Sequence, residues 1–179
     1  MTFTDTHCHL ADPKLASTLP TVLAEAQAAG VARFIVPATS PKDWHSVAQL
    51  ERPSENIHIA LGIHPWFSDG LNEAAFQELE KELIRHPQAW VGEIGLDFYG
   101  KEQTQAQRDT QTDVFIRQLT LAQHLNRRVI IHNLKATAAI AATVKTAGFT
   151  QGGIVHAFSG SVEEARILVK LGFKIGIGS

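Results

Sequence analysis

Residues 128–156 read RVIIHNLKATAAIAATVKTAGFTQGGIVH, and this stretch decides the fold. It opens on an apolar run, Arg128–His132, passes into a helical pattern over Thr137–Ala147, stops at Gly148 and returns to a second apolar run, Gly153–His156. Runs that are apolar on both faces suit strands of a parallel sheet covered by helices. Parallel neighbours need a crossover of about a dozen residues, and this one has the right length. The alternation extends in both directions. The candidate strands are Phe3–His9, Arg33–Ala38, Ile57–His64, Ala89–Glu93, Arg128–His132, Gly153–His156 and Phe173–Gly178. Helical patterns lie between them at Leu19–Ala29, Pro41–Leu50, Glu73–His86, Gln107–Leu125, Thr137–Ala147 and Val162–Leu171. In the longest, Val114, Phe115, Leu119, Ala122 and Leu125 recur at three- and four-residue spacing and make one apolar face. Gly30, Gly148 and Gly172 stand where helices should stop. Ser161 with Glu164 three residues on forms a capping box that opens the last helix.

Seven strands and six helices imply an α/β fold, a (β/α)8 TIM-type barrel that is incomplete, with its final strand and helices absent. One domain over residues 1–179 is expected, cut short at its C-terminal side. The strand Phe173–Gly178 should then present an exposed edge. A closed seven-stranded barrel is the alternative.

The composition is that of a water-soluble globular chain, 44% hydrophobic and 19% charged. No apolar run reaches the roughly 18 residues of a membrane span. The N-terminal segment lacks the pattern of a secretory signal. Cys8 is the single cysteine, so no internal disulfide can form, and a cytoplasmic location is expected. The formal net charge of −2 and the lack of a basic stripe mean that a nucleic-acid substrate would need cations supplied by metals. Histidine is abundant, at nine residues, and is the commonest metal ligand.

Five of the seven candidate strands finish on a histidine or an acid: His9, His64, Glu93, His132 and His156. The C-terminal ends of parallel barrel strands share one face, which carries the active site. In His7-Cys8-His9, alternation along a strand puts both imidazoles on one face and turns Cys8 to the other. Such a pair suits a divalent cation or, alternatively, a hydrogen-bonded core pair. Glu93 lies within Val91-Gly92-Glu93-Ile94-Gly95-Leu96-Asp97 and needs a strong partner if buried. A metal, or two bridged metals, would serve, and so would an arginine. His132 and His156 each read equally as ligands or as satisfied core residues. Trp66, in the loop after His64, is either a substrate contact or a packing residue. His45, His58, His86 and His124 receive no role.

Nitrogen and oxygen donors without sulfur allow zinc, manganese or magnesium. Two such ions about 3.5–4 Å apart would suit phosphoester cleavage. Amide or lactone hydrolysis is equally allowed, and residue chemistry alone reaches a metal-assisted hydrolase on a barrel.

Five motifs occur in order: Asp5-Thr6-His7-Cys8-His9-Leu10, Gly62-Ile63-His64-Pro65, Gly92-Glu93-Ile94-Gly95-Leu96-Asp97-Phe98-Tyr99, Val129-Ile130-Ile131-His132 and His156-Ala157-Phe158-Ser159-Gly160. Together they resemble the TatD family of metal-dependent nucleases, among the amidohydrolase-like barrels. The resemblance implies two divalent ions (Mg, Mn or Zn), one held by His7, His9 and Glu93 and one by Glu93, His132 and His156. It implies Glu93 and His64 as catalytic residues, with His64 near the substrate phosphate. It implies a deoxyribonuclease with DNA as substrate, often acting from a 3′ end; from the residues themselves, no membrane and no obligate protein partner are expected. Some relatives of this type act on other esters, such as mis-charged aminoacyl-tRNA. A metal-binding barrel without activity is a further alternative, because the family's aspartate on the last strand is absent from this chain. Two other departures stand out. His132-Asn133-Leu134-Lys135 replaces the family's His-Ser-Arg, with Lys135 a candidate substitute for the arginine. Ala11-Asp12 follows His9-Leu10 where an acid is common at the first place.

Overall fold

The computed structural model describes residues 2–100 and 103–177. Seven strands form one sheet in chain order: β1 (Phe3–Asp5), β2 (Val31–Pro37), β3 (Ile57–Leu61), β4 (Trp90–Asp97), β5 (Val129–Leu134), β6 (Gly153–Val155) and β7 (Phe173–Ile175). Every pairing is parallel. Six helices alternate with them: α1 (Leu19–Ala28), α2 (Trp44–Ala48), α3 (Glu73–Arg85), α4 (Gln105–His124), α5 (Thr137–Thr146) and α6 (Val162–Lys170). The architecture is an open, incomplete barrel. Among the described residues β1 pairs only with β2, and β7 only with β6. The expected edge on the seventh strand is therefore present and the closed seven-stranded alternative is not; Gly178 and Ser179 lie outside the described residues.

The helices form where their apolar periodicity and caps predict. On α3, Phe76, Leu79 and Leu83 are buried at three- and four-residue spacing, and Asn72 caps the helix by accepting the Ala75 N–H. Each fully buried leucine of this kind stabilises the fold by about 1.5–3 kcal/mol. Ser161 and Glu164 make the expected capping box on α6. A second box, Thr104 with Gln107, starts α4 two residues before the sequence pattern does. Gly30, Gly148 and Gly172 follow α1, α5 and α6 at positive φ.

The core has two parts. The larger lies between sheet and helices and includes Phe34, Leu61, Ile94, Phe115 and Ile131. The smaller comprises Ile35, Ala60, Ile130 and Ile154, with Trp90 packed against it. These four occupy inward positions of β2, β3, β5 and β6, so they form an apolar layer across the middle of the barrel.

Strand ends differ from the sequence reading. Phe3–His9 was expected as one strand, but β1 ends at Asp5, and the following residues bend away from regular pairing. Ala89–Glu93 was expected to finish on Glu93, but β4 runs on to Asp97. Likewise β5 passes His132 to reach Leu134. Only His9, His64 and His156 lie beyond their strands; Glu93 and His132 lie inside theirs. In β4 the register against β5 slips between Val91 and Ile94. Val91, Ile94 and Leu96 all join the outer core. The slip thus reverses the in–out alternation and turns Glu93 and Asp97 into the barrel.

Candidate metal centre

Glu93 is the hub. Its side chain is buried, and four imidazoles, one from within β5 and three from the segments after β1, β3 and β6, face its two oxygens. His7 Nε2 lies 2.6 Å from Oε2. His156 Nε2, His132 Nδ1 and His64 Nε2 lie 2.6, 3.0 and 3.4 Å from Oε1. His9 completes the ring through its edge contact with His7, centroids 4.7 Å apart. His7 also stacks on His156 at 3.8 Å. All six residues that the sequence singled out (His7, His9, His64, Glu93, His132 and His156) therefore meet at the C-terminal mouth of the barrel.

Burial alone would raise the Glu93 pKa, but hydrogen bonds from His132, His156, His64 and His7 outweigh it and hold the carboxylate well below its usual range. Burial lowers the pKa of His9, with the neighbouring His7 adding to the effect. Burial likewise lowers His156, against the pull of Glu93. Both favour the neutral, lone-pair-bearing imidazole that a metal requires. For His132 burial pulls down, but the bonds and charges of Glu93 and Asp97 prevail and raise it. Cys8 turns out of the site: its sulfur approaches the Ile35 carbonyl at 3.5 Å, and burial with the Asp5 charge pushes the thiol up to about 12.

Two overlapping groups have ligand atoms close enough to hold a divalent ion: His7, His9 and Glu93, and His64, Glu93 and His132. They share Glu93, as a binuclear site requires. The donor set is nitrogen and oxygen with sulfur turned away, and it fits zinc, manganese or magnesium.

The second group contains His64 where the family resemblance puts His156, and hydrogen bonding distinguishes the two. His64 Nδ1 accepts the Trp66 backbone N–H at 3.1 Å. A neutral His64 must then carry its proton on Nε2, which faces Glu93 as a donor without a lone pair. His132 is held the opposite way: its Nε2 lies 3.2 Å from Asp97 Oδ2. Donation to that carboxylate leaves the Nδ1 lone pair directed at Glu93, free for a metal. His156 has no such competing bond among the described residues.

Three residues support the site through contacts that the sequence did not reveal. Asp97 is buried and holds both His132 and the Trp66 indole N–H, the latter at 2.7 Å. Gln111 accepts the Asp97 backbone N–H at 2.9 Å. Gln118 clamps the segment between β3 and His64, accepting the Ile63 N–H at 2.8 Å and donating to its carbonyl at 3.0 Å. Two glutamines seven residues apart on the apolar face of α4 were the available signal, since a buried polar side chain there needs a specific partner. Trp44 is buried in the core, and its indole N–H donates to the Gly62 carbonyl at 2.8 Å. Trp66 stands 70% exposed over the site, its ring 4.9 Å from that of His64.

Residues 4–179 match the family described as TatD related DNase. The chain belongs to the TatD family. It is 35% identical over 178 residues to the uncharacterized metal-dependent hydrolase YjjV of Escherichia coli, covering 98% of this chain and 68% of that one. It is 32% identical to YabD of Bacillus subtilis, named in the same way, with 97% and 68% covered. The crystal structure of E. coli YjjV superposes with a TM-score of 0.87 at 34% identity, over 97% of this chain and 66% of that one. A TatD family hydrolase from Entamoeba histolytica shares the fold, with a TM-score of 0.84 at 21% identity. The chain thus spans about two thirds of the length of these relatives. Family membership and the paired candidate metal groups together support a metal-dependent hydrolase of the TatD type. Among the described residues no helix is long and apolar enough to cross a membrane.

Proposed function

We propose that the chain acts as a two-metal deoxyribonuclease that cleaves phosphodiester bonds in DNA. The observation that carries this reading is the single buried carboxylate of Glu93 shared by two potential metal groups. His7, His9 and Glu93 would hold one ion, and Glu93, His132 and His156 the other. When bound, the two ions supply Lewis acidity that polarises the phosphoryl group and strengthens water as a nucleophile. The protein's own groups do the rest. Asp97 fixes the His132 ring. His64, its proton directed to Nε2 by the Trp66 backbone, would offer that N–H to a phosphate oxygen in place of Glu93 once the ions engage the carboxylate, and so favour the charge that builds up during the displacement. The exposed faces of Trp66 and Tyr99 offer stacking surfaces for bases, a contact that tolerates any sequence.

The test is incubation of the purified protein with single-stranded DNA, an aminoacyl-tRNA and a lactone, each with manganese, magnesium or zinc and with chelator. Metal-dependent shortening of the DNA, lost in Glu93→Gln, is expected. Turnover of the tRNA ester or lactone with intact DNA would move the assignment to another ester. Inertness toward all three substrates with metal bound would leave a metal-binding barrel without activity.

A further inference from the structure

At the opposite, N-terminal mouth of the barrel a second cavity of about 480 Å³ opens. Arg33, His58, Arg128 and Lys174 line it, from four different strands or strand starts, together with the hydroxyl residues Thr4 and Thr6. No acidic side chain is among the lining residues. Among the described residues, the ion pairs of lysine and arginine lie on α3 and α4, and none engages Arg33, Arg128 or Lys174. Arg128 rests over the Trp90 ring, 5.6 Å from its centroid. In a chain of net charge −2 this is a local concentration of positive charge that no ion pair neutralises among the described residues. Burial and then the Arg33 charge lower the pKa of His58, which fits cations crowded together. Glu51, whose charge also reaches His58, is already bonded to His86 at 2.6 Å.

We propose that this mouth binds a small phosphate-type polyanion, at a site separate from the metal centre. Guanidinium groups match phosphate oxygens in paired hydrogen bonds, and a lysine adds a point charge. The volume falls within the roughly 300–1,000 Å³ of small-molecule pockets, large enough for pyrophosphate or a nucleoside phosphate. The apolar layer that contains Ile35 and Ile154 also floors this cavity, so a ligand here does not reach Glu93. The ligand's shared chemistry is the phosphate group; whether an inorganic or a nucleoside phosphate supplies it is read from the experiment.

The protein is stripped of metal with chelator and desalted, so that the metal centre cannot hold phosphate through ions. It is then titrated calorimetrically with inorganic pyrophosphate and with thymidine 5′-monophosphate at low ionic strength. Saturable one-to-one binding of at least one is expected, and the tighter of the two identifies the source. Arg33→Gln/Arg128→Gln should weaken it at least about tenfold. Lys174→Gln should weaken it several-fold, while Lys81→Gln, on the exposed face of α3, should not change it. Should the double variant fail to give a native circular-dichroism spectrum, Lys174→Gln decides alone. Absence of saturable binding, wild-type affinity in the folded variants, or an equal loss in Lys81→Gln would overturn the proposal.

Discussion

The two mouths of this barrel are built from the same strands yet carry opposite chemistry. Strand β5 with the residue before it records the whole cross-section. Arg128 lines the N-terminal cavity, Ile130 belongs to the apolar layer, and His132 reaches Glu93. Moving two residues along one strand face crosses from cation to hydrocarbon to ligand. At the C-terminal mouth the two buried carboxylates are both engaged, with Glu93 gathering four imidazoles and Asp97 holding His132 and Trp66. At the N-terminal mouth the cations converge with no acidic lining side chain among the described residues. A network of paired groups is preorganised for ions of one geometry; a set of unpaired like charges calls for a ligand that brings its own.

The sharpest way to break this contrast is Glu93→Gln. If the carboxylate organises the upper mouth, the variant keeps its fold but loses activity by about a thousandfold, within the 10²–10⁴ range that a single catalytic group commands. Turnover within tenfold of wild type, measured on the same oligonucleotide, would show that the four imidazoles need no hub. Next in size, Asp97→Ala should lower metal affinity by about 10–100-fold, as expected when the group orienting a ligating histidine is lost. Asp97→Asn, which keeps an acceptor, should retain part of that affinity. Competition titration with a zinc indicator reads both, and identical affinities in all three proteins would remove Asp97 from the site.

Trp66 tests the substrate side of the same mouth. A base stacked on its ring is worth about 1–3 kcal/mol, so Trp66→Ala should raise KM for single-stranded DNA roughly tenfold. Trp66→Phe should recover much of the loss, since it keeps an aromatic face. A fall in kcat with KM unchanged would instead assign Trp66 to holding Asp97. The smallest effect belongs to the lower mouth. Removing the positive charge in Arg33→Gln should raise the His58 pKa toward its ordinary value, because one cation then no longer repels the other. An NMR titration of the His58 ring follows it directly, and an unmoved or lowered midpoint would mean that the two side chains do not face each other.

Much of this was legible in the sequence. Apolar runs separated by helical patterns gave the element order, because strand and helix periods differ so plainly. The histidines at strand ends pointed to one face through barrel geometry alone. What escaped had local physical causes. The register slip in β4 that turns Glu93 and Asp97 inward leaves no periodic trace in a segment apolar on both faces. Gln111 and Gln118 look like ordinary polar residues until their backbone partners, 14 and 55 residues away, are known. The cations of the N-terminal mouth come from separate strands, so no basic stripe exists to be read along the chain. The histidine tautomers depend on the Trp66 backbone and on Asp97, partners that only folding supplies.

Gly95 carries a consequence for heredity. It sits at φ +140° in β4, and a Cβ built there would overlap the carbonyl oxygen of His132 on β5. The genetic code encloses glycine so that every missense change of a single base introduces a residue with a Cβ atom. At this codon no amino-acid replacement is mild: each would push β5 away from β4 and carry His132 out of line with Glu93. Only the synonymous third base is free to drift, and in a saturation library position 95 should emerge nearly blank for function while its codon usage stays unconstrained.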